Sequence, residues 1–164
     1  MWSLAPWPVT FTHRGKDYTI PALSAAEWLR VLMDPEATFD NVFLELLPEP
    51  MDLLFDEELD LVELGHGVIS EVCGRPWYIA IRLVYLVHDS WNVLGADMLR
   101  RGIRPTDYSI SGWLDVALLT LLHHVKREDQ TSLMAELERP PMEEVQQVQE
   151  ELEMTHEQFL ALMR

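Results

Sequence analysis

The sequence has little cysteine, little glycine and no long apolar run. Its single cysteine, Cys73, excludes an intramolecular disulfide and favours a reducing compartment such as the cytoplasm. The most apolar stretch, residues 77–86, is interrupted by Arg82 and is much shorter than the roughly 20 residues that cross a bilayer. We therefore expect no membrane span, and no signal peptide either, because the first eight residues have no basic region and no long apolar core.

The residue patterns that support catalysis or metal binding are also missing. The seven glycines form no G-x-G-x-x-G or Walker-type loop. His123 and His124 are adjacent, so on a helix they point about 100° apart and do not chelate one metal ion. Cys73 lies near Arg75, which allows a nucleophile, but without a surrounding signature a buried structural cysteine is favoured. We therefore predict no enzyme, no metal and no cofactor.

Basic residues are few. The chain has 12 Lys and Arg against 28 Asp and Glu, a formal net charge of −16. A charge of this size repels nucleic-acid phosphates and anionic membranes and attracts basic proteins. Solubility is the simpler interpretation of the same charge. We predict a protein partner and no binding to nucleic acid or membrane, and self-association stays open.

Residues 34–71 contain no Lys or Arg, and their acids are interleaved with Leu, Phe and Val. One interpretation is a set of amphipathic helices with a solvated acidic face. The other is a binding surface whose apolar anchors engage a partner while the carboxylates steer a basic one. A thin apolar stripe in the C-terminal tail favours the second, because it buries too little to fold alone. The predicted partner-binding residues are Phe39, Phe43, Leu47, Leu54, Phe55, Val145, Val148, Leu152 and Phe159.

Local patterns predict the order of elements. Alternating β-branched and aromatic residues at 9–12 and 18–20, separated by a segment with Gly15, predict a β-hairpin. Ser24 followed by Glu27 predicts a capping box at the start of a helix. Further helices are predicted at about residues 41–47, 51–55, 57–72, 76–101 and 111–125, and from 129 to just before Pro140. Gly74 is predicted to end one helix and Pro76 to open the next. The helix over 76–101 is the predicted centre of the core.

The predicted fold is mainly α, a helical bundle with a short N-terminal β-hairpin and an acidic C-terminal helical tail. Residues 1–22 form the hairpin segment packed on the domain, 23–139 the α-helical core domain, and 140–164 an acidic, partly flexible helical tail. A second capping-box pattern over residues 155–158 predicts a last short helix in the tail.

Several short sequence strings, taken in their order along the chain, suggest a family. They are Ala-Pro-Trp-Pro-Val, Ile-Pro-Ala-Leu, Trp-Leu, Gly-Arg-Pro-Trp, Trp-Leu-Asp and Glu-Leu-Glu-Arg-Pro-Pro, at residues 5–9, 20–23, 28–29, 74–77, 113–115 and 136–141. With the acidic, leucine-rich middle, this layout resembles the tail assembly chaperones of long-tailed, siphovirus-type phages that infect actinobacteria.

The resemblance implies a protein of the host cytoplasm that binds the phage tape-measure protein and keeps it soluble during assembly of the tail tube. It also implies absence from the mature virion, often a longer form made by programmed frameshifting, and no catalytic residues. Two alternatives stay open. One is an acidic inhibitor that mimics DNA and acts on a host DNA-binding protein, which acids interleaved with Leu and Phe fit less well. The other is a minor structural component of the virion.

Overall fold

The computed structural model describes residues 5–34, 46–47 and 51–141. The strands are β1 (Val9–His13) and β2 (Lys16–Ile20). The helices in the described part are α1 (Ala25–Leu32), α2 (Met51–Leu54), α3 (Leu61–Cys73), α4 (Trp77–Asp89), α5 (Trp91–Arg100), α6 (Ile110–His124) and α7 (Arg127–Glu138), with a 3-10 turn at Pro105–Asp107. The predicted fold class, mainly helical with a short antiparallel N-terminal hairpin, is confirmed.

The strands of the hairpin are joined by the two-residue turn Arg14-Gly15. Both turn residues have a positive φ, 48° and 78°, which is the conformation that a type I′ turn requires. One face of the hairpin buries Val9, Tyr18 and Ile20 in the core that the helices share. Packing on the helices gives the hairpin the support that an isolated pair of strands lacks in water.

Two predicted helix ends are confirmed. At the start of α1, the Ser24 hydroxyl accepts from the Glu27 N–H, and the Glu27 carboxylate accepts from the Ser24 N–H at 2.8 Å. The Ser24 hydroxyl also donates to the Glu27 carboxylate at 2.7 Å, and this hydrogen bond, followed by that from the Ser24 N–H, lowers the pKa of Glu27. At the end of α3, Gly74 adopts the left-handed conformation with φ 63°. The start of α1 and the end of α3 are thus determined by a few neighbouring residues.

The predicted start of α3 near residue 57 was wrong, since the helix begins at Leu61. The Asp60 carboxylate accepts from the N–H groups of Val62 and Glu63, both at 3.0 Å, and therefore caps the helix. The Asp56 carboxylate accepts in the same way from the Glu58 N–H at 3.1 Å, which keeps the preceding residues in a turn. In so acidic a segment, the sequence pattern did not show which acid is the cap.

The single helix predicted over 76–101 is two helices, α4 and α5. Ser90 stands between them at φ −91° and ψ 5°, and its carbonyl accepts from the N–H groups of Val93 and Leu94 as α5 begins. An unbroken helix of this span would be about 39 Å long, against about 22 Å for α6, on which both halves pack. Leu83 of α4 and Met98 of α5 are both fully buried, and both helices contact α6.

The segment 76–101, the predicted centre of the core, supplies α4, which contacts α1, α3, α5, α6 and α7. Helix α6 packs against it and contacts α1, α3, α4 and α5. Its buried residues are Ile110, Ser111, Gly112, Trp113, Leu114, Ala117, Thr120 and Leu121. The last helix, α7, is held by Arg82 of α4, whose guanidinium donates to the carbonyls of Glu136, Leu137 and Arg139 at the C-terminal end of α7. A cation at that end also complements the helix dipole.

The helix predicted over residues 41–47 lies almost wholly outside the described residues. The predicted tail beyond Pro141, with its second capping box, lies outside them as well.

Candidate protein-binding groove

An open groove with a volume of about 710 Å³ lies between β1 and α3. One wall is formed by residues 7–11, which lead from the Trp-Pro segment into β1. The other is formed by residues 58–60 and by α3 residues three or four positions apart, which lie on one face of the helix. The apolar residues that line it are Trp7, Pro8, Val9, Phe11, Leu59, Leu64 and Val68. Of these, Trp7, Phe11, Leu59 and Leu64 are only half-buried, so apolar surface stays open to a partner.

The first wall of the groove is the free edge of β1. Successive residues of a strand point to opposite faces, so a wall that includes Val9, Thr10 and Phe11 in succession is an edge and not a face. No residue of β2 lines the groove, which identifies the edge as the one opposite β2. In the part of the chain that the structure describes, no other strand pairs with β1. The groove therefore offers backbone groups as well as apolar side chains.

Four exposed carboxylates border the groove, those of Glu58, Asp60, Glu63 and Glu71. Among the described residues that line it, none is Lys or Arg. Each exposed ion pair that a partner forms here contributes no more than about 1 kcal/mol. Such charges accelerate and orient the approach of a basic partner, while affinity has to come from the apolar floor. The groove is thus suited to an apolar segment that carries Lys or Arg.

Charged side chains fix the tip of the hairpin to the turn after α2. The carboxylate of Asp56 lies 2.7 Å from His13 Nε2 and 2.8 Å from Arg14 Nε. Lys16 Nζ lies 2.6 Å from the carboxylate of Asp52. The hydrogen bond from His13, together with the Glu58 N–H and the charge of Arg14, lowers the pKa of Asp56. These contacts hold in place the turn that leads into residues 58–60, where the second wall of the groove begins.

Three of the nine predicted partner-binding residues lie in the described part of the chain. Leu47 is 5% exposed and belongs to the hydrophobic core. Leu54 is half-buried, whereas Phe55 is 76% exposed and lies beside the hairpin tip. The other six lie outside the described residues: Phe39, Phe43, Val145, Val148, Leu152 and Phe159.

The residues that build the groove were not among the predicted contacts. Trp7 and Phe11 were assigned to the hairpin segment and Leu64 to a helix, each without a binding role. For Trp7, a signal was available in the sequence: it is an aromatic residue between two prolines, Pro6 and Pro8, just before a strand. The groove exists only where β1 meets α3, and these elements are far apart in the chain.

Several arginines that cluster in the sequence are engaged within the protein. The guanidinium of Arg75 donates to the carboxylate of Asp115. Arg100 and Arg101 each place a nitrogen 2.8 Å from the buried carboxylate of Asp97. The hydrogen bond from Arg100, followed by that from Arg101, lowers the pKa of Asp97. These ion pairs favour the interpretation that the arginines neutralise acidic side chains of the same chain, and they do not favour a basic surface that binds nucleic acid.

Cys73 is buried, and His66 lies against an aromatic ring. Burial raises the pKa of the Cys73 thiol to about 12, against a smaller opposing effect of the Arg75 charge. A thiol with this pKa is protonated at neutral pH and is a poor nucleophile. His66 stacks on Trp77 with ring centroids 3.7 Å apart. No group of three or more His, Cys, Asp and Glu side chains in the described part is arranged to hold a metal ion.

We expect Cys73 to react with an aromatic disulfide reagent at least about a thousandfold more slowly in the folded protein than in the unfolded chain. The reason is the rise of its pKa from 9.0 to about 12, which lowers the thiolate fraction by about that factor. The measurement is release of the coloured thiol at mildly alkaline pH, with and without guanidinium chloride. Fast release from the folded protein would contradict a buried structural role.

None of the described helices is long and apolar enough to cross a membrane. Comparison of the chain with protein-family models, with curated proteins and with solved structures gives no match in any of the three.

Proposed function

We propose that this protein is a tail assembly chaperone, a binding protein without catalytic activity that holds an apolar, basic segment of the phage tape-measure protein. The observation that carries the proposal is the open apolar groove between β1 and α3 with its border of four carboxylates. This combination suits a partner that is prone to aggregate through apolar segments and is attracted by an acidic surface.

The groove explains how the protein would bind a partner without catalysing a reaction. Its floor is made of aromatic and branched aliphatic side chains, including Trp7, Phe11 and Leu64, that stay half-exposed when no partner covers them. Burial of such surface contributes about 25 cal/mol per Å². The net charge of −16 keeps the free protein soluble while this surface is open.

The choice of partner rests on the resemblance of the sequence, and one structural feature supports it. The Ala-Pro-Trp-Pro-Val segment, the first of the strings on which the resemblance depends, supplies Trp7, Pro8 and Val9 to the wall of the groove. A string on which the resemblance depends thus lies at the surface proposed to bind. The proposal places the protein in the host cytoplasm during assembly and outside the mature virion.

The test is co-expression of the full chain with the tape-measure protein encoded in the same genome. We expect the soluble fraction of the tape-measure protein to rise severalfold and a complex of the two proteins to be recovered by size-exclusion chromatography. The double substitution Glu63→Lys and Glu71→Lys cancels the net negative charge of the groove border and is expected to reduce the yield of complex.

The matched control is the pair Glu128→Lys and Glu138→Lys on α7, which changes the net charge equally at exposed residues that do not line the groove. It is expected to bind as the unchanged protein does. If the tape-measure protein stays equally insoluble with the unchanged chain, the chaperone proposal fails. If both charge-reversed pairs lose binding alike, the groove is not the site.

A further inference from the structure

We infer that the groove binds its partner as an extended strand, which pairs with the free edge of β1 and carries alternating apolar and basic side chains. This inference rests on the proposed function, because it takes the groove to be the binding site, and it adds the backbone conformation and the residue pattern of the bound segment. The observations that carry it are the register of the hairpin, the position of the edge in the groove and the charge around it.

The two-residue turn determines which backbone groups of β1 face outward. In such a hairpin the residues that flank the turn, His13 and Lys16, exchange hydrogen bonds, and the pattern then alternates along the strands. Thr10 and Thr12 are therefore in non-hydrogen-bonded pairs, and their N–H and C=O groups point away from β2. The Thr10 and Thr19 hydroxyls, 3.0 Å apart, agree with the closer approach of side chains in such a pair.

Thr10 brings this outward edge into the groove. Thr10 lines the groove, although its side chain lies on the face of the hairpin opposite Val9 and Phe11. It therefore contributes its backbone, at the edge of the strand, to the wall of the groove. No hydrogen bond joins the Thr10 backbone to another part of the described chain. A partner strand that entered here would satisfy the Thr10 donor and acceptor, which otherwise rely on water.

The dimensions of the groove fit a short strand. The lining residues of α3 and its cap extend from Asp60 to Glu71, a rise of about 16 Å along the helix axis. An extended segment covers this distance with about five residues. Apolar side chains at alternate positions would face Phe11 and Leu64, and long basic side chains between them would reach Glu63 and Glu71.

Charge identifies the occupant as a basic segment of another protein and not a second copy of this chain. Two copies paired through β1 would bring two borders of four carboxylates together, and like charges at such an interface oppose association. A free strand edge is a common site of unwanted pairing, and this border discourages pairing between copies while attracting Lys and Arg.

The experiment measures binding of a fluorescein-labelled peptide of about seven residues, in which Val and Lys alternate, to the full chain by fluorescence anisotropy. Thr10→Pro removes the outward N–H that the added strand needs, and proline is tolerated at an unpaired edge position. Thr19→Pro is the matched control, because Thr19 is the cross-strand partner of Thr10 and its N–H points to the opposite edge. Both variants lose the same contact between hydroxyls.

We expect Thr10→Pro to weaken peptide binding at least about tenfold and Thr19→Pro to change it less than about twofold, with equal melting temperatures for the two variants. A peptide of the same sequence with N-methyl groups on alternate residues, in the register that faces β1, should lose binding to the same extent. If both proline variants bind the peptide equally, or if N-methylation has no effect, strand addition is overturned.

Failure of this inference is distinguishable from failure of the proposed function. Binding that is lost with Glu63→Lys and Glu71→Lys but kept with Thr10→Pro would mean that the groove holds side chains without adding a strand. No binding of the peptide to a chain that still forms the complex with the tape-measure protein would also overturn the inference, and the chaperone proposal would stand.

Discussion

Replacing Leu53 with alanine is expected to lower the free energy of unfolding by about 2–5 kcal/mol, the range observed when a buried leucine leaves a cavity. Leu53 lies on the four-residue helix α2 in the acidic segment, and its side chain is 0% exposed. A helix this short has almost no stability of its own. The segment therefore depends on this anchor, and its loss should also release the turn that the hairpin tip contacts.

Phe55→Ala is the matched control, two positions away in the same segment. Its side chain is 76% exposed, so we expect a change within about 0.5 kcal/mol. The measurement is urea unfolding followed by circular dichroism and tryptophan fluorescence for both variants. Equal stabilities of the two variants would show that the segment around α2 does not belong to the core. A large loss for Phe55→Ala would mean that this phenylalanine is buried in solution.

Replacing Gly67 with tryptophan is expected to fill the groove and to weaken peptide binding at least about tenfold. Gly67 lines the groove on α3 and is exposed, and a Cβ atom there would meet no atom within 4 Å. The new side chain therefore occupies the space that a partner needs, and its Cβ atom does not clash with the protein. Removal of a glycine from a helix interior also favours the helix, so the melting temperature should not fall.

Ala96→Trp on α5 is the control for this substitution, because Ala96 is exposed and does not line the groove. It adds the same aromatic surface elsewhere and is expected to leave binding unchanged. Both variants should be compared in the peptide titration and in the co-expression experiment. Full binding by Gly67→Trp with an unchanged melting temperature would exclude the groove as the binding surface.

The features that the sequence predicted correctly are those that depend on neighbouring residues. The β-hairpin follows from alternation around a turn with Gly15, and the start of α1 follows from Ser24 and Glu27 three positions apart. Gly74 ends α3 because a glycine adopts positive φ at little cost. In each case the interacting groups lie within a few positions of one another, so a short window of sequence contains the whole interaction.

The predictions that failed depend on distant contacts. The segment 76–101 has a continuous apolar pattern, but its division at Ser90 follows from how both halves pack on α6. The predicted partner contacts Leu47 and Phe55, whose binding role stays a prediction, share one acidic, apolar pattern, yet Leu47 is 5% exposed and Phe55 76%. Amphipathic periodicity shows which residues share a face and does not show what covers that face.

By itself, the sequence determined that the protein is acidic, mainly helical and begins with a hairpin, because composition and local propensity are properties of single residues and near neighbours. It also gave the resemblance on which the proposed partner rests. Only the tertiary structure decided that the segment 76–101 is divided into α4 and α5, both in contact with α6, and that the free edge of β1 faces α3 across an apolar groove with an acidic border. The physical reason is that a groove is space between elements, which chain folding creates from residues that no local pattern connects.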